Sequence, residues 1–157
     1  MSETKKTEKS PLKATNYLFY YLWHIVLESQ NKIDDAMRAH DIRAPSWRVI
    51  MILHEHGSMT ISEISKDVLL ENSRLSRIAQ NLEEKGIVQR AKCTDDQRYT
   101  RLQLTKKGRQ IFEDLAPIAE RQLESTLHGF SSQERKQLDQ MVRRLKDNTY
   151  RSPFALP

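Results

Sequence analysis

Cysteine is almost missing from this chain: Cys93 is the only one in 157 residues. A single thiol excludes an internal disulfide framework and suits a reducing compartment, so a cytoplasmic location is expected. Glycine (four) and proline (five) are also scarce. That leaves little material for long loops or a turn-rich β architecture, and a mostly helical chain is expected. No run approaches the roughly 18 to 20 unbroken apolar residues of a membrane span. The opening "MSETKKTEKSP" has no apolar stretch, so no secretory leader is expected.

What is present is charge. Charged residues make up 30% of the chain against 38% hydrophobic, with a formal net charge of +5. The length suits one domain with one modest core. The basic excess favours a polyanionic partner, nucleic acid first and an anionic membrane second. Lys5, Lys6 and Lys9 have no apolar anchor beside them and would hold a membrane weakly. No membrane partner is expected.

Residues 1–11 read as a disordered basic arm. From Leu12 to His40 no Gly or Pro interrupts the chain, which predicts one long helix with a stripe of Phe19, Leu22, Trp23, Val26, Ile33 and Met37. "APSWRVIMILHEHG" predicts a second helix with Ser46 as N-cap and Gly57 as its stop. Thr60 and Glu63 have capping-box spacing for a third. "NSRLSRIAQNLEEKG" gives a fourth, closed by Gly86. A strand pair follows over roughly Ile87 to Leu104. Thr105 caps a helix to about Gly129, with Pro117 expected to bend it. Ser131 and Glu134 open a last helix bearing Leu138, Met141, Val142 and Leu145. The fold class is therefore mostly α with a small β-hairpin wing. A winged helix-turn-helix lobe occupies 41–105, an N-terminal dimerisation helix 12–40, C-terminal dimerisation helices 106–149 and a tail 150–157.

On the helix after Asn72, the residues Leu75, Ile78, Ala79 and Leu82 recur at i, i+3, i+4 and i+7, so that side faces the core. The opposite side carries Ser73, Ser76, Arg77 and Gln80, with Asn72, Arg74 and Asn81 at its edges. Each is a type that bonds phosphates or base edges: Arg to guanine O6 and N7, Asn and Gln to adenine N6 and N7. Between Glu71 and Lys107 there are nine Lys/Arg and five Asp/Glu. That surplus of four sits in a chain whose total is five. A solvated amphipathic face would carry the same periodicity; its place between a capped short helix and a hairpin favours DNA.

"TDDQRYTRLQLTKKGR" (94–109) contains adjacent acids, Asp95 and Asp96. On extended chain neighbouring side chains point opposite ways, so they serve poorly as a shared acid/base pair or metal clamp. Thr100, Leu102 and Leu104 alternate with Arg101 and Gln103, as in a half-buried strand. Arg101 is expected to point outward beside a tip bearing Arg98, with Asp96 accepting turn amides and orienting Arg98.

Together "SWRVIMIL", "TISEISKDVLLENSRLSRIAQNLEEKGIV" and "TDDQRYTRLQLTKKGR" resemble the multiple antibiotic resistance regulator (MarR) family over roughly residues 40–145. The resemblance implies a homodimeric winged-helix transcription factor on double-stranded, inverted-repeat DNA. Such a factor is often a repressor released by small phenolic or carboxylic compounds. By position, Ser73, Ser76 and Arg77 match the family's major-groove helix, and Asp96 and Arg98 its wing-tip pair, with Arg98 in the minor groove. Leu69 departs from the family pattern, which commonly has glycine in that turn. The family's effector pocket lies between the lobe and the dimerisation helices, which nominates Tyr20, His24, Trp47, Arg48, Met51 and Phe112. Arg48 or His24 would pair with a ligand carboxylate.

Cys93 lies before the wing tip, not in the first helix, where peroxide-sensing members place their reactive cysteine, and is expected to be unreactive. His54 and His56 point to different helix faces, and no cysteine cluster accompanies them; neither a metal nor another cofactor is expected. An enzymatic role is not expected. The alternatives are a winged-helix protein-interaction module, in which the basic face meets an acidic partner, and a DNA-binding regulator that takes no ligand.

Overall fold

The computed structural model describes residues 13, 17–92 and 100–151. In chain order its elements are α1 (Leu18–Ala36), a short 3-10 helix (Arg38–His40), α2 (Ala44–His56), β1 (Met59–Thr60) and α3 (Ile61–Val68). They continue with α4 (Asn72–Glu84), β2 (Val88–Lys92), β3 (Thr100–Leu104), α5 (Lys106–Thr126) and α6 (Ser132–Arg151). This is the helical chain with a small sheet that the composition predicts.

Local chemistry sets most boundaries. The Thr60 hydroxyl accepts the Glu63 amide at 3.3 Å, while the Glu63 carboxylate accepts the Thr60 amide at 2.7 Å, so two otherwise orphaned donors at the start of α3 are satisfied. Ser131 and Glu134 repeat the arrangement before α6 at 3.3 and 2.8 Å. Arg135 then braces the preceding turn by bonding the Glu124 carboxylate and the carbonyls of Phe130 and Leu127.

Three boundaries differ from expectation. Instead of one helix from Leu12 to His40, Lys13 lies outside any helix, α1 starts at Leu18 and it ends at Ala36. The chain turns because Met37 is fully buried and Asp41 adopts the left-handed conformation at φ 54°. This reversal lets the Asp34 carboxylate accept the Ala44 amide at the start of α2. Ser46 is not an N-cap: α2 begins at Ala44, with Pro45 in the first turn, where its missing N–H costs nothing. At the other end, α6 runs through Tyr150 to Arg151, into the expected tail.

The sheet is antiparallel, in the order β1-β3-β2, with Met59 opposite Leu102, Thr60 opposite Arg101 and Val88 opposite Leu104. Two residues are too few to carry an alternating pattern, so β1 went unread in the sequence. The core gathers Met37, Ile42, Ile50, Leu53, Ile64, Leu75, Leu82, Ile87, Leu102 and Leu115, each such burial worth about 1.5–3 kcal/mol. Leu115 comes from α5. The chain divides into compact units at Ala119/Glu120, inside α5. Among the described residues no helix is long and apolar enough to cross a membrane.

Candidate nucleic-acid interface

α3 and α4 form the helix-turn-helix. α3 closes in a Schellman-type turn: the Leu70 amide bonds the Ser65 carbonyl at 3.2 Å, and Leu69 takes the left-handed position at φ 52°, ψ 49°. Leucine thus adopts the conformation that glycine usually supplies. Leu70 packs against the core beyond the turn.

α4 buries Leu75, Ala79 and Leu82, with Ile78 partly buried beside them. Asn72, Ser73, Arg74, Ser76, Arg77, Gln80 and Asn81 are all exposed, so the seven residues assigned to the outer face are on it. Their states differ. Gln80 donates to the Glu84 carboxylate at 3.0 Å. Lys85, at the helix end, pairs with Asp41 at 2.8 Å, and Arg90 on β2 pairs with Glu83 at 2.9 Å; the Lys85 hydrogen bond holds the Asp41 carboxyl below its ordinary value. Glu83 and Glu84 are thus engaged at the C-terminal end of α4. Arg74 and Arg77 have no hydrogen bond or ion pair among the described residues. They line a cleft of about 500 Å³ with Ser46, Glu71, Ser73, Ile78 and Asn81. Ser46 was not foreseen here: its place beside α4 comes from the packing of α2 and has no local signature.

Arg101 is not the outward cation that strand alternation suggested. Its guanidinium folds back, with Nε 3.2 Å from the Ser58 carbonyl and Nη2 3.3 Å from the Glu63 carboxylate. Asp96 and Arg98, expected at the wing tip, and Cys93 lie outside the described residues.

The six residues nominated for an effector pocket fall into local groups. Trp47 is buried and stacks on Phe112, with ring centroids 5.5 Å apart and planes at 14°. His54 stacks on Phe112 at 3.7 Å, a neighbour that sequence reasoning missed because α2 and α5 are far apart in the chain. Tyr20 and His24, one helical turn apart on α1, touch at 4.5 Å. Arg48 carries a buried Nε with no hydrogen-bond partner among the described residues, and Met51 is exposed. A buried donor without an acceptor is costly, about 1–3 kcal/mol.

Comparisons with known proteins agree with this geometry. The MarR family profile matches residues 42–100. The HTH-type transcriptional repressor IacR of Pseudomonas putida is 26% identical over 127 residues, covering 81% of this chain and 76% of IacR. A MarR family transcriptional regulator of Silicibacter pomeroyi has a similar solved structure, with TM-score 0.79 and 25% identity over 90% of this chain and 95% of that one. Bordetella bronchiseptica BpsR, whose DNA binding is regulated by 6-hydroxynicotinic acid, shares the fold at TM-score 0.79 and 18% identity, over 88% of this chain and 99% of its own.

Proposed function

We propose that this chain, which is similar to the MarR family of DNA-binding transcriptional regulators, is a homodimeric repressor of an inverted-repeat operator, released by a small aromatic or phenolic carboxylate. The observation that carries the DNA reading is the state of Arg74 and Arg77. They stand exposed on the outer face of α4 with no hydrogen bond or ion pair among the described residues, while neighbouring Lys85 and Arg90 are paired away from it. Arg77, flanked by Ser73 and Ser76, is the base reader in this assignment; Arg98 is the minor-groove residue, oriented by Asp96. Two copies of α4 must sit one helical turn of DNA apart, about 34–36 Å, and apolar side chains left exposed on α1 and α6 support a second copy as the means of holding them. Trp23 is 65% exposed and Phe19, Val26, Met141 and Val142 are about half exposed.

Arg77→Ala is expected to weaken binding to a duplex selected by the wild-type protein by about 1–3 kcal/mol and to relax preference at one position of each half-site. Equal affinity and equal preference, measured by fluorescence anisotropy on a panel of single-base variants, would remove Arg77 as a reader.

The effector reading rests on the buried Arg48 Nε, which has no hydrogen-bond partner among the described residues. The carboxylate chemistry of the molecule that regulates BpsR supports it. A ligand acts only through its difference in affinity between the DNA-competent and DNA-incompetent states. Calorimetry with 6-hydroxynicotinic and 4-hydroxybenzoic acids is expected to show binding to the wild type that Arg48→Met and His24→Ala weaken. Identical isotherms for all three proteins would leave the regulator without this pocket.

A further inference from the structure

The region between the wing and the first helix of the helix-turn-helix contains a polar cluster that the DNA-reading face does not use. Arg101 lies on β3 opposite Thr60 of β1, and Thr60 is also the N-cap of α3. The Arg101 side chain runs back across that pairing. Its Nε lies 3.2 Å from the Ser58 carbonyl and 3.3 Å from the Ser58 hydroxyl, and its Nη2 reaches Glu63 at 3.3 Å. Glu63 Oε2 at the same time accepts from the Thr60 amide at 2.7 Å and the Thr60 hydroxyl at 3.1 Å. One carboxylate oxygen therefore joins the cap of α3 to the wing strand.

We propose that Arg101 is a positioning residue for DNA binding: its link to Ser58 and Glu63 fixes the wing strand relative to α3, and through α3 relative to the recognition helix α4. The proposal rests on the DNA-binding role of α4 and deepens it. The mechanical reason is the shortness of β1. Only two residue pairs, Met59–Leu102 and Thr60–Arg101, bind β1 to β3, so backbone pairing alone restrains this edge weakly. Arg101 is 31% exposed at its side chain. A guanidinium presents its donors in a rigid planar fork; here they lie against a carbonyl, a hydroxyl and a carboxylate and resist rotation of the strand. A duplex is gripped by wing and helix together, so slack between them lowers affinity without removing any contact.

Two readings of Arg101 predict opposite outcomes. A residue that neutralises a phosphate contributes to the salt dependence of binding, and its removal lowers the slope of log K against log salt by about 1. A positioning residue leaves that slope alone and shares its effect with its partner. The probe is a fluorescein-labelled duplex enriched by the wild-type protein from a randomised pool, titrated at several salt concentrations. Arg101→Met is expected to weaken binding about tenfold, a loss inside the usual range of coupling between contacting residues. Glu63→Gln, which keeps a side chain able to cap α3, is expected to weaken it in the same direction. The double variant should be no worse than Arg101→Met alone, and all slopes should match the wild type. Wild-type affinity in Glu63→Gln together with a reduced slope in Arg101→Met overturns the proposal. Amide exchange in the free proteins supplies a readout that needs no DNA: the amides of the β1–β3 pairing should exchange faster in both single variants while those of α4 do not. Unchanged exchange in that pairing also overturns it. Should the wild type enrich no duplex, the operator reading fails, and the exchange measurement still decides the tether.

Discussion

Leu69 is held in a conformation that costs an L-residue about 1–2 kcal/mol relative to the right-handed region, and its side chain recovers little, being 72% exposed. Glycine would remove that strain while losing more chain entropy on folding, about 0.5–1 kcal/mol. Leu69→Gly is therefore expected to stabilise the lobe by about 0.5–1 kcal/mol, read as a higher urea midpoint with an unchanged slope. A lower midpoint would mean that Leu69 has a packing partner outside this chain. Gly108 presents the opposite case. An added Cβ would lie 2.0 Å from the Ile87 carbonyl oxygen, and that oxygen also accepts the Thr105 amide at 3.0 Å, so neither side can yield cheaply. Gly108→Ala is expected to destabilise by about 2–4 kcal/mol, seen in the same unfolding curve. A loss below about 0.5 kcal/mol, the size of a surface substitution, would show that α5 can slide past Ile87.

At the level of elements, α3 and α6 are started by the same reciprocal cap, and both caps respond to acid. The Glu63 carboxyl is held below its ordinary value, chiefly by the Thr60 amide and further by the Thr60 hydroxyl, Arg101 and Lys66, against an opposing desolvation. Glu134 is lowered by the Ser131 hydroxyl and amide. A carboxyl whose folded value lies below its unfolded one adds stability that is fully present above the unfolded value, about 4.3. It is lost as pH falls through the folded value, because the unfolded chain binds more protons there. Urea midpoints should therefore fall as the pH drops below the unfolded carboxyl value, and the fall should be shallower in a Glu63→Gln/Glu134→Gln variant. Parallel pH profiles for the two proteins would assign acid sensitivity to other carboxylates. These caps were legible in the sequence, as was the division of α4 into core and outer faces, because each depends on spacings of three or four residues along one helix. What was not legible depends on contacts across the chain. The break after Ala36 needs Met37 buried in the core, the inward turn of Arg101 needs Ser58 and Glu63, and the place of Ser46 beside Arg74 and Arg77 needs α2 packed on α4. None of these leaves a periodic trace.

For the whole molecule, the question is what covers the apolar side chains that one copy leaves in water. On α6, Leu138, Met141, Val142 and Leu145 recur at helical spacing and are all exposed, and on α1 exposure extends from Leu18 to Leu27 at most apolar positions. Specific interfaces bury about 1,200–2,000 Å², and two long helices per copy can supply such an area with side chains already apolar. If that surface joins two copies, its role in function is avidity: the second half-site is bound as an intramolecular event, which multiplies affinity by about 10²–10⁴ without a new contact. A Met141→Glu/Val142→Glu variant changes only exposed positions, so each lobe should stay folded. It is expected to sediment as single chains at micromolar concentration. Its affinity for a duplex carrying one half-site should be unchanged, while the advantage of two correctly spaced half-sites disappears. A variant that remains paired and keeps that advantage would place the contact between copies elsewhere, with α1 as the next surface to charge. One that separates yet still prefers the two-site duplex would mean that DNA, rather than protein, brings the copies together.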